Sequence, residues 1–132
     1  MRVSDAMSPV SAIVGPEHTL QQAAVRMVQH RTGAAVVLDG ALQGPGVVTE
    51  RDLLRAVADG LDPSTELVQD HMTGELVTAM PTWPITKAAE LMVKHGIRHV
   101  LVFEGSELTG VLSMRDVVRV TRLQPELASA EA

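Results

Sequence analysis

Cysteine and tyrosine are absent from the 132 residues, and the aromatic complement is one tryptophan, Trp83, and one phenylalanine, Phe103. Without cysteine there is no disulfide, no thiolate nucleophile and no thiolate metal ligand. Basic clusters are missing too, since 11 basic residues are scattered among 16 acidic ones for a net charge of -5. A chain with that balance, and with so few aromatic faces on which bases can stack, is not expected to bind nucleic acid. No apolar stretch approaches the roughly 20 residues of a membrane span. No basic segment followed by a hydrophobic run marks the N-terminus, so a soluble, unexported, cytoplasmic protein away from the membrane is expected. An activated-serine motif, a Walker loop and a G-x-G-x-x-G sequence are all lacking. Binding is therefore expected in place of turnover, and the chain is not expected to be an enzyme.

What the chain does contain is a repeat. Gly46-Val47-Val48-Thr49-Glu50-Arg51-Asp52 returns as Gly110-Val111-Leu112-Ser113-Met114-Arg115-Asp116. A shift of 65 positions lays Val3, Asp5 and Met7 over Val68, Asp70 and Met72, and Ala23, Ala24, Met27, Val28 and His30 over Ala88, Ala89, Met92, Val93 and His95. The shift falls to 64 at Gly46, which needs one deletion in the turn before the last strand. Two tandem copies follow, at 3–60 and 68–122, with a linker at 61–67 and a tail at 123–132. With 45% hydrophobic residues the chain can bury a core. One copy of about 60 residues is marginal alone, so a single shared core is expected.

Each copy reads as strand, helix, strand, strand, helix. In the first, Ser11 to Val14 is a short strand, and Leu20, Ala23, Ala24, Met27 and Val28 are expected to form one buried helical stripe of period 3.6. Thr19 with Gln22 is a capping box at its start, and Gly33 follows its end. Ala34 to Leu38 is a buried strand, Asp39-Gly40 a turn signal, and Gly46 to Val48 an antiparallel partner. Thr49 then caps a helix to about Asp59, closed by Gly60. The second copy predicts strands at Leu76 to Ala79, Val100 to Phe103 and Leu108 to Leu112, and helices from about Pro84 to His95 and from Ser113 to about Thr121. Ser64 is expected to cap a short turn of helix in the linker. His30 and His95 sit at matching helix ends, where the dipole suits an imidazole, and Gly96 separates His95 from His99. No metal site is expected.

This order, with the Asp-x-Met starts (Asp5, Met7; Asp70, Met72), the Ala-Ala-x-x-Met helices and the Gly-aliphatic-aliphatic-hydroxyl-x-Arg-Asp endings, resembles the cystathionine-beta-synthase (CBS) domain. The tandem resembles the paired unit called a Bateman module, over residues 3 to about 122. The resemblance implies an α/β (α+β) fold of two β-α-β-β-α repeats packed about a pseudo-twofold axis, leaving two related clefts. It also implies a stand-alone regulatory pair that binds an adenine nucleotide or adenosyl ligand in an inter-repeat cleft and signals by changing conformation or assembly. AMP, ADP, ATP, NADH or S-adenosylmethionine are the ligands implied, none of them a required cofactor. A homodimer and a separate effector protein are the implied partners. One departure is that the proline frequent in the family's second strand is replaced by Val36 and Leu101, which puts ligand choice in doubt.

The repeated phrase has chemistry of its own. A hydroxyl residue before a helix leaves first-turn amides and the positive dipole end facing outward, where a phosphate fits. An aspartate three residues on can accept hydrogen bonds from both hydroxyls of a ribose. The resemblance nominates Thr49, Arg51 and Asp52 in the first copy and Ser113, Arg115 and Asp116 in the second. The same spacing is close to a capping box worth about 1 kcal/mol without any ligand, and both roles stay open. Arg51 and Arg115 are also open to simple surface ion pairing. Before its second strand, copy two has Arg98 and His99 where copy one has Gly33 and Ala34. A guanidinium holds phosphate in bidentate fashion, so the better phosphate site is expected beside Asp116. The other reading is a dimerising interaction module whose clefts are empty.

Overall fold

The computed structural model describes residues 1–39, 44–74 and 76–123. The chain opens with a single-turn helix, α1 (Val3–Ala6), and then builds copy one from β1 (Ile13–Val14), α2 (Leu20–His30), β2 (Ala34–Val37), β3 (Gly46–Thr49) and α3 (Glu50–Ala58). After a 3-10 turn at Val68–Asp70, copy two follows with β4 (Thr78–Ala79), α4 (Ile85–His95), β5 (His99–Glu104), β6 (Glu107–Ser113) and α5 (Met114–Leu123). Each copy makes a three-stranded sheet, β1-β2-β3 or β4-β5-β6, whose first pair is parallel and second antiparallel. The turn signal at Gly40 and the tail at 124–132 lie outside the described residues. No helix among the described residues is long and apolar enough to cross a membrane.

The capping box at Thr19 forms in full. Gln22 N–H donates to Thr19 Oγ1 at 3.2 Å and Thr19 N–H donates to Gln22 Oε1 at 2.9 Å. Gly33 does follow the end of α2, but the left-handed position belongs to Arg31, two residues ahead of it, at φ 54°. Its equivalent in copy two is Gly96 at φ 64°. The register of the closing bonds decides this: Thr32 N–H reaches Met27 O at 3.0 Å, and Ile97 N–H reaches Met92 O at 2.9 Å. Copy one thus places a side chain where a left-handed turn costs roughly 1–2 kcal/mol without glycine. The first strands are shorter than expected, two residues each, because only those residues are in register with β2 or β5. In the linker Asp62, rather than Ser64, organises the turn. Its carboxylate accepts from the Ser64 hydroxyl at 2.7 Å and the Ser64 amide at 2.9 Å, and these bonds hold its pKa below the ordinary aspartate value.

The expected shared core is not found. Buried apolar residues among those described form two clusters, one around Leu20, Met27, Val37 and Val48, the other around Ile85, Met92, Val102 and Leu112, while Val28 and Val93, expected on the buried stripes, lie at their edge and are exposed. The reason is an exchange of leading segments. One compact unit is Ser11–Leu76; the other joins Met1–Val10 to the chain from Val77 onward. Val3 is fully buried in the copy-two cluster, and its sequence equivalent Val68 is fully buried in the copy-one cluster. Each unit therefore completes its core with an aliphatic residue from outside its own repeat. Trp83 is half-buried against the copy-two cluster at the start of α4, with Lys87 Nζ 3.9 Å from the ring centre.

The exchange explains the Asp-x-Met starts. Asp5 Oδ2 accepts from Arg2 N–H at 2.8 Å and tightens the α1 turn. Ser8 then pairs with Val111, each amide donating to the other's carbonyl at 2.9 Å, while Thr73 pairs with Val47 in the same way at 2.9 and 3.0 Å. These bridges bring Met7 onto Gly110 and Met72 onto Gly46, where a glycine leaves room for the crossing segment.

Candidate functional site

Thr49 closes β3 opposite Ala34 in an extended conformation and is the N-cap of α3. Its amide and hydroxyl donate to Asp52 Oδ2 at 2.8 and 3.1 Å, and Asp52 N–H donates back to Thr49 Oγ1 at 3.3 Å. Copy two repeats the arrangement: Ser113 N–H donates to Asp116 Oδ2 at 2.9 Å, and Asp116 N–H donates to Ser113 Oγ at 3.1 Å. Both aspartates are thus held at a helix start with Oδ2 turned to the backbone. The first helical amide is fixed by the neighbouring strand, Glu50 N–H on Gly33 O at 2.9 Å and Met114 N–H on Arg98 O at 2.8 Å.

The two sites differ in burial and charge. Asp116 is 9% exposed and is the buried charged residue among those described, whereas Asp52 is half-buried. Arg119 Nη2 lies 3.5 Å from Asp116 Oδ1 and also donates to Ala6 O at 3.2 Å. Because Arg119 is half exposed, that ion pair is worth at most about 1 kcal/mol. In copy one, a Cβ on Gly33 would fall 2.8 Å from Glu50 Oε1, so the Glu50 carboxylate lies against the glycine at the start of α3. The matching positions in copy two are Arg98 and Met114. An anion approaching α3 meets Glu50 and Asp52; one approaching α5 meets Asp116, with Arg98 joined to the helix start by the Met114 N–H bond to its carbonyl.

The nominated residues therefore fall into two groups. Thr49 and Asp52 are bonded together, with Arg51 exposed on the first turn of α3. Ser113 and Asp116 are bonded together, His99 lies opposite Ser113 in the ladder, Arg98 is exposed just before β5, and Arg115 is exposed on α5. Sequence reasoning missed Arg119 as a partner of Asp116, although its i+3 spacing on a helix was a legible signal. His18 and His71 are engaged locally: Gly15 N–H donates to His18 Nδ1 at 2.7 Å, and His71 Nε2 is 2.9 Å from Glu66 Oε1. Among the described residues no group of three or more His, Asp or Glu could hold a metal ion. A shallow open groove along α2, lined by His18, Gln21, Gln22, Val25, Arg26 and Gln29, contains none of the nominated residues.

Comparison with known proteins matches this geometry to a family. The family model described as the CBS domain matches residues 3–59 and again residues 68–122. CBS domain-containing protein YhcV of Bacillus subtilis is 35% identical over 130 residues, covering 97% of this chain and 90% of that protein. Among solved structures, CBS domain protein PAE2072 from Pyrobaculum aerophilum, complexed with AMP, is similar with a TM-score of 0.83 and 34% identity over 98% of this chain and 99% of that one. The hexameric CBS-CP12 protein from bloom-forming cyanobacteria has a TM-score of 0.84 at 25% identity, over 90% of this chain and 71% of its own. With its fold, both of its repeats and nearly all of its length matched, the chain belongs to the CBS domain family as a tandem pair.

Proposed function

We propose that this CBS pair is a regulatory module that binds an adenine nucleotide or adenosyl ligand and signals by a change of conformation or assembly. The observation that carries the reading is the buried Asp116 carboxylate, fixed by Ser113 at the start of α5 and preceded in the adjoining strand by Arg98 and His99. Asp116 accepts from a ribose hydroxyl, the Ser113 hydroxyl and the positive end of the α5 dipole face phosphate, and Arg98 supplies the charge that copy one lacks. The AMP complex of the 34% identical PAE2072 supports the ligand class. A carboxylate already engaged as a hydrogen-bond acceptor suits recognition of a ligand hydroxyl, in keeping with a non-catalytic role; in this reading the module is cytoplasmic, with a separate effector protein as the recipient of its signal.

A thermal-melting panel of AMP, ADP, ATP, NADH and S-adenosylmethionine tests this reading. A ligand at 100 times its dissociation constant adds about 2.7 kcal/mol. Asp116→Ala should abolish the shift more completely than Asp52→Ala. No shift with any ligand at millimolar concentration would refute the nucleotide-sensor function.

The second reading, a dimerising module, draws on a different observation. Val28 and its equivalent Val93 are 78% and 75% exposed, and Leu54 and its equivalent Val118 are 68% and 54% exposed. An apolar pair kept exposed at matching places in both copies fits self-association into a homodimer. The hexamer formed by CBS-CP12 supports assembly as a property within the family.

A further inference from the structure

Arg119 stands between two things that the sequence does not connect. One Nη2 atom lies 3.5 Å from Asp116 Oδ1 and donates to the carbonyl of Ala6, the last residue of α1, at 3.2 Å. Helix-end carbonyls have no partner within their own helix, so this guanidinium satisfies a group that α1 leaves open. The segment carrying Ala6 is docked by Val3 N–H on Trp83 O at 2.9 Å, Ser4 N–H on Pro81 O at 3.0 Å and the Ser8–Val111 pair. We propose that Arg119 is a positioning residue that couples occupancy of the Asp116 carboxylate to the docking of the leading segment Met1–Val10.

The competition is over one oxygen. Oδ2 of Asp116 is held by Ser113 N–H, so a ribose hydroxyl takes Oδ1, the oxygen that Arg119 faces. The long, half-exposed ion pair yields, Arg119 loses the anchor that aims it at Ala6, and the leading segment loosens. Copy one does not have the device. Arg55 is the equivalent of Arg119, and among the described residues it bridges neither Asp52 nor the crossing segment. The residue matching Ala6 is His71, which is held by Glu66 at 2.9 Å. The ligand part of this coupling rests on the function proposed above; the contact itself does not.

Hydrogen exchange of the 1–10 peptide in the full chain tests both parts. Without ligand, Asp116→Asn and Arg119→Gln should each raise exchange there about two- to fivefold, the size of an exposed ion pair and bond. The double variant should match Arg119→Gln alone, since Asp116 acts on the segment only through Arg119, and Arg55→Gln should leave the peptide unchanged. Saturating AMP should raise the same exchange in the unaltered chain but not in Arg119→Gln, whose AMP-induced melting shift persists. Unchanged exchange in the single variants, additive effects in the double variant, or an AMP response that survives Arg119→Gln would overturn the coupling. If AMP and the other ligands leave every melting curve unmoved, the proposed function fails, and the ligand-free variants still decide whether Arg119 holds the segment.

Discussion

Gly110→Ala should release the leading segment, while the matching Gly46→Ala should be nearly silent. A Cβ at Gly110 would sit 2.8 Å from the backbone oxygen of Ser8 and 3.0 Å from Met7 Sδ. The methionine can swing aside, but the carbonyl cannot move without breaking the two 2.9 Å bonds between Ser8 and Val111. Two backbone bonds at about 0.5–1.5 kcal/mol each set the loss. Alanine regains about 0.5–1 kcal/mol over glycine within a strand. The net cost is therefore about 0–2.5 kcal/mol, centred a little above 1, and each kcal/mol lowers the melting temperature of a chain this size by roughly 3–4 °C. At Gly46 the corresponding carbonyl, that of Thr73, is 3.2 Å from the added carbon, and a shift of a few tenths of an ångström relieves it. There the gain and the strain roughly cancel, within about 0.5 kcal/mol. Thermal melting gives the size, and hydrogen exchange at Val3 and Ser8 gives the place. Equal costs for the two variants, or a Gly110→Ala chain whose leading segment exchanges as before, would refute the argument from close approach.

Val3→Ala and Val68→Ala should each cost roughly 2–3 kcal/mol, from two methyls plus a cavity, with Val3→Ala raising exchange in β5 and β6 and Val68→Ala in β2 and β3. Effects confined to the repeat that contains the mutation in sequence would contradict the exchanged segments. Asp62 should titrate below the usual aspartate range by NMR, because the Ser64 hydroxyl and then the Ser64 amide stabilise its charged form, and Ser64→Ala should move the midpoint up. Its folded pKa is depressed, so its contribution is present above the unfolded value and is lost as pH falls through the folded one. Sedimentation of a Val28→Asp, Val93→Asp chain should show dissociation of the proposed homodimer with melting little changed, since both side chains are exposed; an unchanged sedimentation coefficient would remove those positions from any interface.

Local signals carried far in this chain. The hydroxyl residues Thr19, Thr49 and Ser113 each accept the third-residue amide that their spacing calls for, and the aliphatic runs at Ala34 and Val100 are strands buried on both faces. Such features depend on neighbours three or four residues away, and periodicity reports them. What escaped were consequences of distance. Val3 and Val68 align as equivalents in sequence, yet nothing local says that each serves the other repeat's core. The pairing of Arg119 with Asp116 was legible by spacing, but its second bond, to Ala6, spans 113 positions and could not be read. Helix ends fell between these cases, since Gly33 marks where α2 is over but the hydrogen-bond register puts the left-handed residue at Arg31.

The exchanged leading segments also set an order of events during synthesis. Ser11–Leu76 is contiguous and can close its core as soon as Val68 emerges. Residues 1–10 leave the ribosome far ahead of Trp83, Val111 and Arg119, the residues they dock on, and wait undocked while the first unit forms. The earliest part of this domain pair to be made is the last to find its place, and a chain stopped after the first repeat would hold one finished unit and an orphaned strip of valine, alanine and methionine.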